Sequence, residues 1–214
     1  MAYFNDRVEA GKQLSTALAD FKGKNAIVLA IPRGGVVVGF EIASKLELPL
    51  DVIIPRKVGA PNNPELAIGA VAEDGTIILD NSLVAYLGVP KSFIQEESHR
   101  QREEIKRRLK VYRPNEPSPN VKGLDVILVD DGIATGSTMK AALASVKNQG
   151  AKTVTVAVPV GPPSTIEELK KQADKVICLK TPEYFQAIGQ FYLDFNQTSD
   201  EEVIELLKLS IRKK

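Results

Sequence analysis

Apolar residues along this chain come in short unbroken runs, and stretches of helical periodicity separate them. Ala26–Ile31, Leu50–Ile54, 125–130, 153–158 and 175–179 have the length and the Val/Ile content of strands buried on both faces. A first helix, capped by Asn5 or Asp6, carries Val8, Leu14, Leu18 and Phe21 on one face and stops at Gly23. Further helices are predicted at Gly35–Leu46, Asn81–Leu87, Lys91–Val111, 138–148 and 163–173, with a last one capped at Ser199 or Asp200. Ile68–Ala72 and Thr76–Leu79 flank Glu73-Asp74-Gly75, the pattern of a hairpin. Residues 55–67 and Pro114–Pro119, rich in turn formers, are predicted as loops. The order β-α-β, hairpin, β-α-β-α-β implies an α/β fold with a central, mostly parallel sheet flanked by helices.

Composition narrows the class. With 214 residues and 43% apolar content, the chain can bury a core without disulfides or metals. A formal net charge of +1 gives no overall field for nucleic acid or membrane, and neither is expected as a partner. No apolar run approaches a membrane span, and Met1–Asp6 lacks the basic and apolar stretches of a secretion signal. The lone Cys178 lies in the apolar run Val176–Leu179, reads as a small buried hydrophobe, and fits a reducing cytoplasm, the expected location. No repeat or low-complexity tract interrupts the chain.

Residues 126–138 carry the most specific chemistry. An apolar strand, Val126–Val129, ends in the acids Asp130 and Asp131, and the small-residue turn Ala134-Thr135-Gly136-Ser137-Thr138 leads into a helix. Ligands of open α/β sheets bind at the carboxyl ends of strands. The turn presents backbone N–H groups and hydroxyls that suit a phosphate, and the acids suit sugar hydroxyls or a magnesium ion. Both within one turn point to a sugar phosphate. The first strand ends in Pro32-Arg33-Gly34-Gly35, an arginine and two glycines before a helix, which is a second anion-binding layout. The second ends in the basic pair Arg56-Lys57. No Walker A sequence is present, which disfavours a nucleotide triphosphatase of that kind.

The segment 126–138 resembles the 5-phosphoribosyl-1-diphosphate (PRPP) motif of type I phosphoribosyltransferases. The resemblance implies that fold over about residues 24–180, in a single domain 1–214 with a small hood from 181–214 and from 1–23 if the first helix joins it. It implies transfer of the phosphoribosyl group of PRPP to a nitrogenous base or related amine, with Mg²⁺ and release of pyrophosphate. Asp130 and Asp131 would hold the ribose hydroxyls and the metal, directly or through water and PRPP. Ala134, Thr135, Gly136, Ser137 and Thr138 would hold the 5-phosphate. Arg33, Gly34, Gly35, Arg56 and Lys57 would serve the diphosphate, with Arg33 and Lys57 catalytic, and 59–79 takes the place of a mobile catalytic loop. A homodimer stays open.

Two features bear on the acceptor. Residues 176–195 resemble the hood of 6-oxopurine phosphoribosyltransferases, with one extra residue between Gly189 and Asp194, and Tyr184 and Phe185 offer flat surfaces to a ring. Ala134 stands where those enzymes carry the aspartate that reaches the base, which resembles the adenine type instead; acceptor identity stays open. The charged helix 91–111 reads as an ion-paired, solvated face or as a source of an arginine for a neighbouring subunit, and His99 on it as a surface histidine. Two rival readings remain: a PRPP- or nucleotide-binding regulator on the same fold without transferase activity, and a metal-dependent phosphatase.

Overall fold

The computed structural model describes residues 2–114 and 117–211. Two residues of the expected Pro114–Pro119 loop and the last three of the expected hood segment lie outside them. From the N-terminus, α1 (Arg7–Ala17) is capped by Asp6, whose carboxylate accepts a hydrogen bond from the Glu9 amide at 2.7 Å. β1 (Ala26–Ala30), α2 (Gly34–Leu46) and β2 (Leu50–Val52) make the first β-α-β unit. The antiparallel strands β3 (Arg56–Ala60), β4 (Asn63–Val71) and β5 (Ile77–Leu79) come next, then α3 (Asn81–Tyr86) and α4 (Lys91–Tyr112). β6 (Asp125–Val129), α5 (Ser137–Asn148), β7 (Thr153–Val160), α6 (Pro163–Lys170) and β8 (Lys175–Lys180) complete the alternation. A short 3-10 turn at Ile188–Phe191 precedes α7 (Asp200–Ile211).

Five strands form one parallel sheet in the order β2-β1-β6-β7-β8, and β3, β4 and β5 form a separate three-stranded antiparallel sheet. The inner strands β1, β6 and β7 are buried on both faces, as their unbroken apolar runs require, while the edge strand β8 is only partly covered. On one face Val28, Ala30, Ile127 and Val129 meet Leu14 of α1, Ile42 and Leu46 of α2, Ile105 and Leu109 of α4, and Val203 of α7. On the other, Ile27, Leu29, Val126, Leu128, Val154 and Val156 meet Met139, Leu143 and Val146 of α5 and Ile166 and Leu169 of α6. Each such Val, Leu, Ile or Met side chain contributes roughly 1.5–3 kcal/mol by burial.

Residues 55–67 depart from the expected loop. They form most of an antiparallel arm, with Arg56 opposite Val71, Lys57 opposite Ala70 and Val58 opposite Gly69. The register shifts on both sides of Gly59, and Asn62 turns the tip with a left-handed φ of 62°. Glycine, asparagine and proline at a bulge and a tight tip are the residues that also mark open loops. The second turn, at Glu73-Asp74-Gly75, is the expected hairpin, closed by the Ala72 amide donating to the Thr76 carbonyl at 2.8 Å. Cys178 is half-buried, and burial pushes its thiol up to about 11.

Candidate functional site

β1 and β6 lie side by side, with Ala30 opposite Val129, so the segments leaving the two strands meet beyond their ends. The Pro32–Arg33 peptide in the first of these segments is cis. A Cβ on Gly35 would stand 3.0 Å from the Asp130 Cα, and one on Gly34 would fall 2.0 Å from Asp131 Oδ2 and 2.6 Å from Arg7 Nε. The start of α2 therefore approaches the acid pair through the space its side-chain-free residues leave. Gly34 accommodates a carboxylate and a guanidinium.

Arg7, the first residue of α1, is the partner of that carboxylate. Its Nε donates to Asp131 Oδ2 at 2.8 Å and its Nη1 to the Asn196 carbonyl at 2.7 Å, and its guanidinium carbon lies 3.9 Å from the Phe195 ring centroid. Both side chains of the ion pair are 12% exposed. The Tyr192 hydroxyl donates to the Asp131 carbonyl at 2.5 Å. Asp130 Oδ1 accepts from the Asp131 amide at 2.8 Å. Burial, and then the neighbouring Asp131 charge, push the Asp130 carboxyl well above the usual range, while Arg7 draws it back. One acid of the pair thus has a fixed counter-charge, and the other keeps a proton more readily than an ordinary aspartate.

Gly136, with φ of 76°, takes the N-cap position of α5, and no side chain among the described residues caps that helix. Its first-turn N–H groups are left for a ligand, with the half-buried Ser137 and Thr138 beside them. Thr135 Oγ1 and Ser137 Oγ are 3.2 Å apart, and Thr165 Oγ1 ties the loop down by donating to the Ala134 carbonyl at 2.8 Å.

Two cavities meet here. The larger, about 720 Å³, brings together Arg33, Gly34, Arg56, Lys57, Asp130, Asp131 and Thr138. The second, about 510 Å³, is lined by Thr135, Ser137, Lys140 and Asp80 among others. Lys57 and Glu65, on the two strands of the β3–β4 arm, line both, so the arm borders both cavities. Arg33 also reaches toward α7, 3.9 Å from Asp200, which accepts the Tyr112 hydroxyl at 2.5 Å.

Tyr184 and Phe185 line neither cavity. Tyr184 is 88% exposed, and Phe185 packs on Phe191 at 5.0 Å in an aromatic cluster that also holds Phe4, Tyr192 and Phe195. Ile188 and Phe195 are the side chains of that C-terminal segment that reach the larger cavity, and Ile188 rests on Gly132. Sequence reasoning passed over Arg7 and Gln101, which line the same space as Arg100 and Arg108 of the charged helix. Arg7 stood in plain view beside the helix cap, but nothing local says that the start of α1 meets the segment that follows β6. Among the described residues no group of three or more His, Cys, Asp or Glu side chains could hold a metal, and no helix is long and apolar enough to cross a membrane.

The model of the phosphoribosyl transferase domain matches residues 8–84 and 72–196. A Mycobacterium tuberculosis protein, provisionally named a phosphoribosyl transferase and found in two strains, is 43% identical over 97% of this chain. The chain spans about half the length of these curated relatives, 47%. The crystal structure of the Thermus thermophilus protein TT1426 is similar at 45% identity and a TM-score of 0.83, covering 97% of this chain and 98% of its own.

Proposed function

Because the chain belongs to the phosphoribosyl transferase family, we propose that it transfers the phosphoribosyl group of PRPP to a small acceptor nitrogen and releases pyrophosphate. One observation carries the reading: the acid pair after β6, the glycine loop after β1 and the uncapped start of α5 converge at one end of the sheet. Each of these three pieces suits one recognition task. The α5 N-terminus, with Thr135, Ser137 and Thr138, holds the 5-phosphate by N–H groups, hydroxyls and the helix dipole. Asp130 and Asp131 take the ribose hydroxyls. Arg33 and Lys57 face the diphosphate as it leaves, where fixed cations stabilise the charge that builds up.

In the reaction the acceptor nitrogen forms a bond to C1 of the ribose as the C1–O bond to the diphosphate breaks, and the nitrogen's proton passes to solvent or to a basic group. The ribose develops oxocarbenium character on the way, as in glycosyl transfer generally. The two carboxylates are oxygen donors of the kind Mg²⁺ takes, one or two protein carboxylates with phosphate oxygens and water being its usual set. Asp130 and Asp131 would hold it with the diphosphate, and it would neutralise the leaving group. Ala134 offers no carboxylate to a 6-oxopurine, so hypoxanthine and guanine are expected to be poor acceptors.

Calorimetry with PRPP and Mg²⁺ tests the assignment. The double variant Asp130→Asn with Asp131→Asn is expected to lose PRPP binding, and unchanged affinity would overturn the reading. Charge-assisted hydrogen bonds contribute roughly 1.5–3 kcal/mol. Arg33→Ala should therefore weaken PRPP and pyrophosphate about ten- to a hundredfold, with ribose 5-phosphate little changed.

A further inference from the structure

One wall of the larger cavity is more basic than a diphosphate site needs. Arg56, Arg100, Gln101 and Arg108 line it from β3 and α4. Arg56 is half-buried, forms no ion pair among the described residues, and donates its Nε only to the neutral Gln101 amide at 2.9 Å. Gln101 is itself 8% exposed and passes its own N–H to Glu97 at 2.7 Å. Glu97 is already held by Arg100 through two bonds, at 2.7 and 2.8 Å, and Glu104 is shared by Arg107 and Arg108. On α4, Glu97 and Glu104 thus answer Arg100, Arg107 and Arg108, and Arg56, behind them, has no ion pair among the described residues. Burial and the charges of Arg108, Arg100 and Arg107 work against the Arg56 cation, and the charge of Glu104 offsets them in part. A half-buried guanidinium in such surroundings is a receptor for an anion, because a bound carboxylate or phosphate would supply the missing partner.

This wall is not the phosphate loop. Neighbouring residues on a strand point to opposite faces. Lys57 lines both cavities and reaches the second with Thr135 and Ser137, whereas Arg56 lines the larger but not the second and turns to α4. Resting on the transferase reading above, we propose that Arg56, Arg100 and Arg108 form an acceptor subsite that selects an acceptor carrying a carboxylate or phosphate group. The cavity, at about 720 Å³, has room for a second small molecule beside a sugar diphosphate. The acid on the acceptor would lie against α4 while its nitrogen faces the ribose.

The test compares anionic probes with neutral isosteres: nicotinate against nicotinamide, and 4-aminobenzoate against 4-aminobenzamide. Binding is measured by calorimetry on the free protein and on the protein saturated with PRPP and Mg²⁺. At least one charged probe is expected to bind tenfold or more tighter than its neutral partner. Arg56→Gln should abolish that preference. Because Arg56 is half-buried, the double variant Arg100→Gln with Arg108→Gln, on exposed and half-exposed positions, repeats the test where folding is not at stake. Equal binding of both members of each pair, or binding of neither, would overturn the proposal. So would a loss of pyrophosphate affinity in the double variant by the same factor as the loss of the charged probe, which would give the wall to the diphosphate. Failure of PRPP to bind, with the charge preference intact in the free protein, would instead remove the transferase reading and leave the anion site standing.

Discussion

Arg7 and Asp131 are each worth little to the site without the other. Removing the guanidinium leaves a carboxylate, 12% exposed, without its counter-charge, beside Asp130, which burial already disfavours as an anion. Breaking a buried pair from one side costs roughly 3–5 kcal/mol, equivalent to about 6–20 °C in a domain of this size at 2–4 °C per kcal/mol. Arg7→Met is thus expected to lower the melting temperature by that order and to abolish PRPP binding. Adding Asp131→Asn to it should restore part of the stability and none of the binding. A thermal melt in which both single variants match the wild type would show that the pair is not coupled. The same geometry explains Gly34: its missing Cβ is the room in which Asp131 and Arg7 meet. The sequence marks that glycine as one that lets backbone approach a phosphate, and the structure adds this second reason for it.

Among the elements, the β3–β4–β5 sheet departs most from expectation and sits nearest the site. Its strands carry glycines where another strand comes close: a Cβ on Gly69 would lie 2.4 Å from the Ile78 carbonyl oxygen. Backbone cannot yield as the end of a side chain can. Gly69→Ala should therefore push β5 away from β4 and destabilise the arm by about 1–3 kcal/mol, the usual cost of overpacking. Hydrogen exchange over residues 56–79 would read it, and protection equal to wild type would refute it. Helix α4 shows the complementary case. Its charge pattern announces a solvated, ion-paired helix, and Arg100–Glu97, Lys106–Glu103, Arg107–Glu104 and Arg108–Glu104 are the pairs that form. What the pattern hides is that Ile94, Ile105, Leu109 and Tyr112 bury the opposite face, which brings Arg100 and Arg108 to the rim of the cavity.

For the whole molecule, the parallel sheet separates two cores and holds the site at one end. Leu128 is fully buried among α5 and α6 side chains, and the acid pair begins two residues later. Leu128→Ala is expected to cost about 2–5 kcal/mol through lost transfer energy and the cavity left behind, read as a lower denaturant midpoint at unchanged slope. PRPP affinity below the new midpoint should stay within a few-fold of wild type, because the backbone of β6 is held by β1 on one side and β7 on the other. A loss of affinity larger than the loss of stability would mean that the core and the site are not separable.

The strand runs, their helical spacers, the hairpin at 73–75, the acid pair and the small-residue loop were all legible in the chain, because each depends on neighbours within a dozen residues. Periodicity, turn chemistry and motif spacing are local properties, and they suffice for the α/β alternation and for the ends of β1 and β6. The arm at 56–71 was not legible, since its bulge and tip use the residues of a loop and only pairing with β5 shows it to be a sheet. Nor was the meeting of Arg7 with Asp131, which lie 124 positions apart, or the turning of Phe195 and Ile188, in place of Tyr184, toward the cavity. Those contacts depend on which face of α1 rests on α2 and on how the C-terminal segment crosses the strand ends. Packing of distant elements sets both, and no local pattern records it.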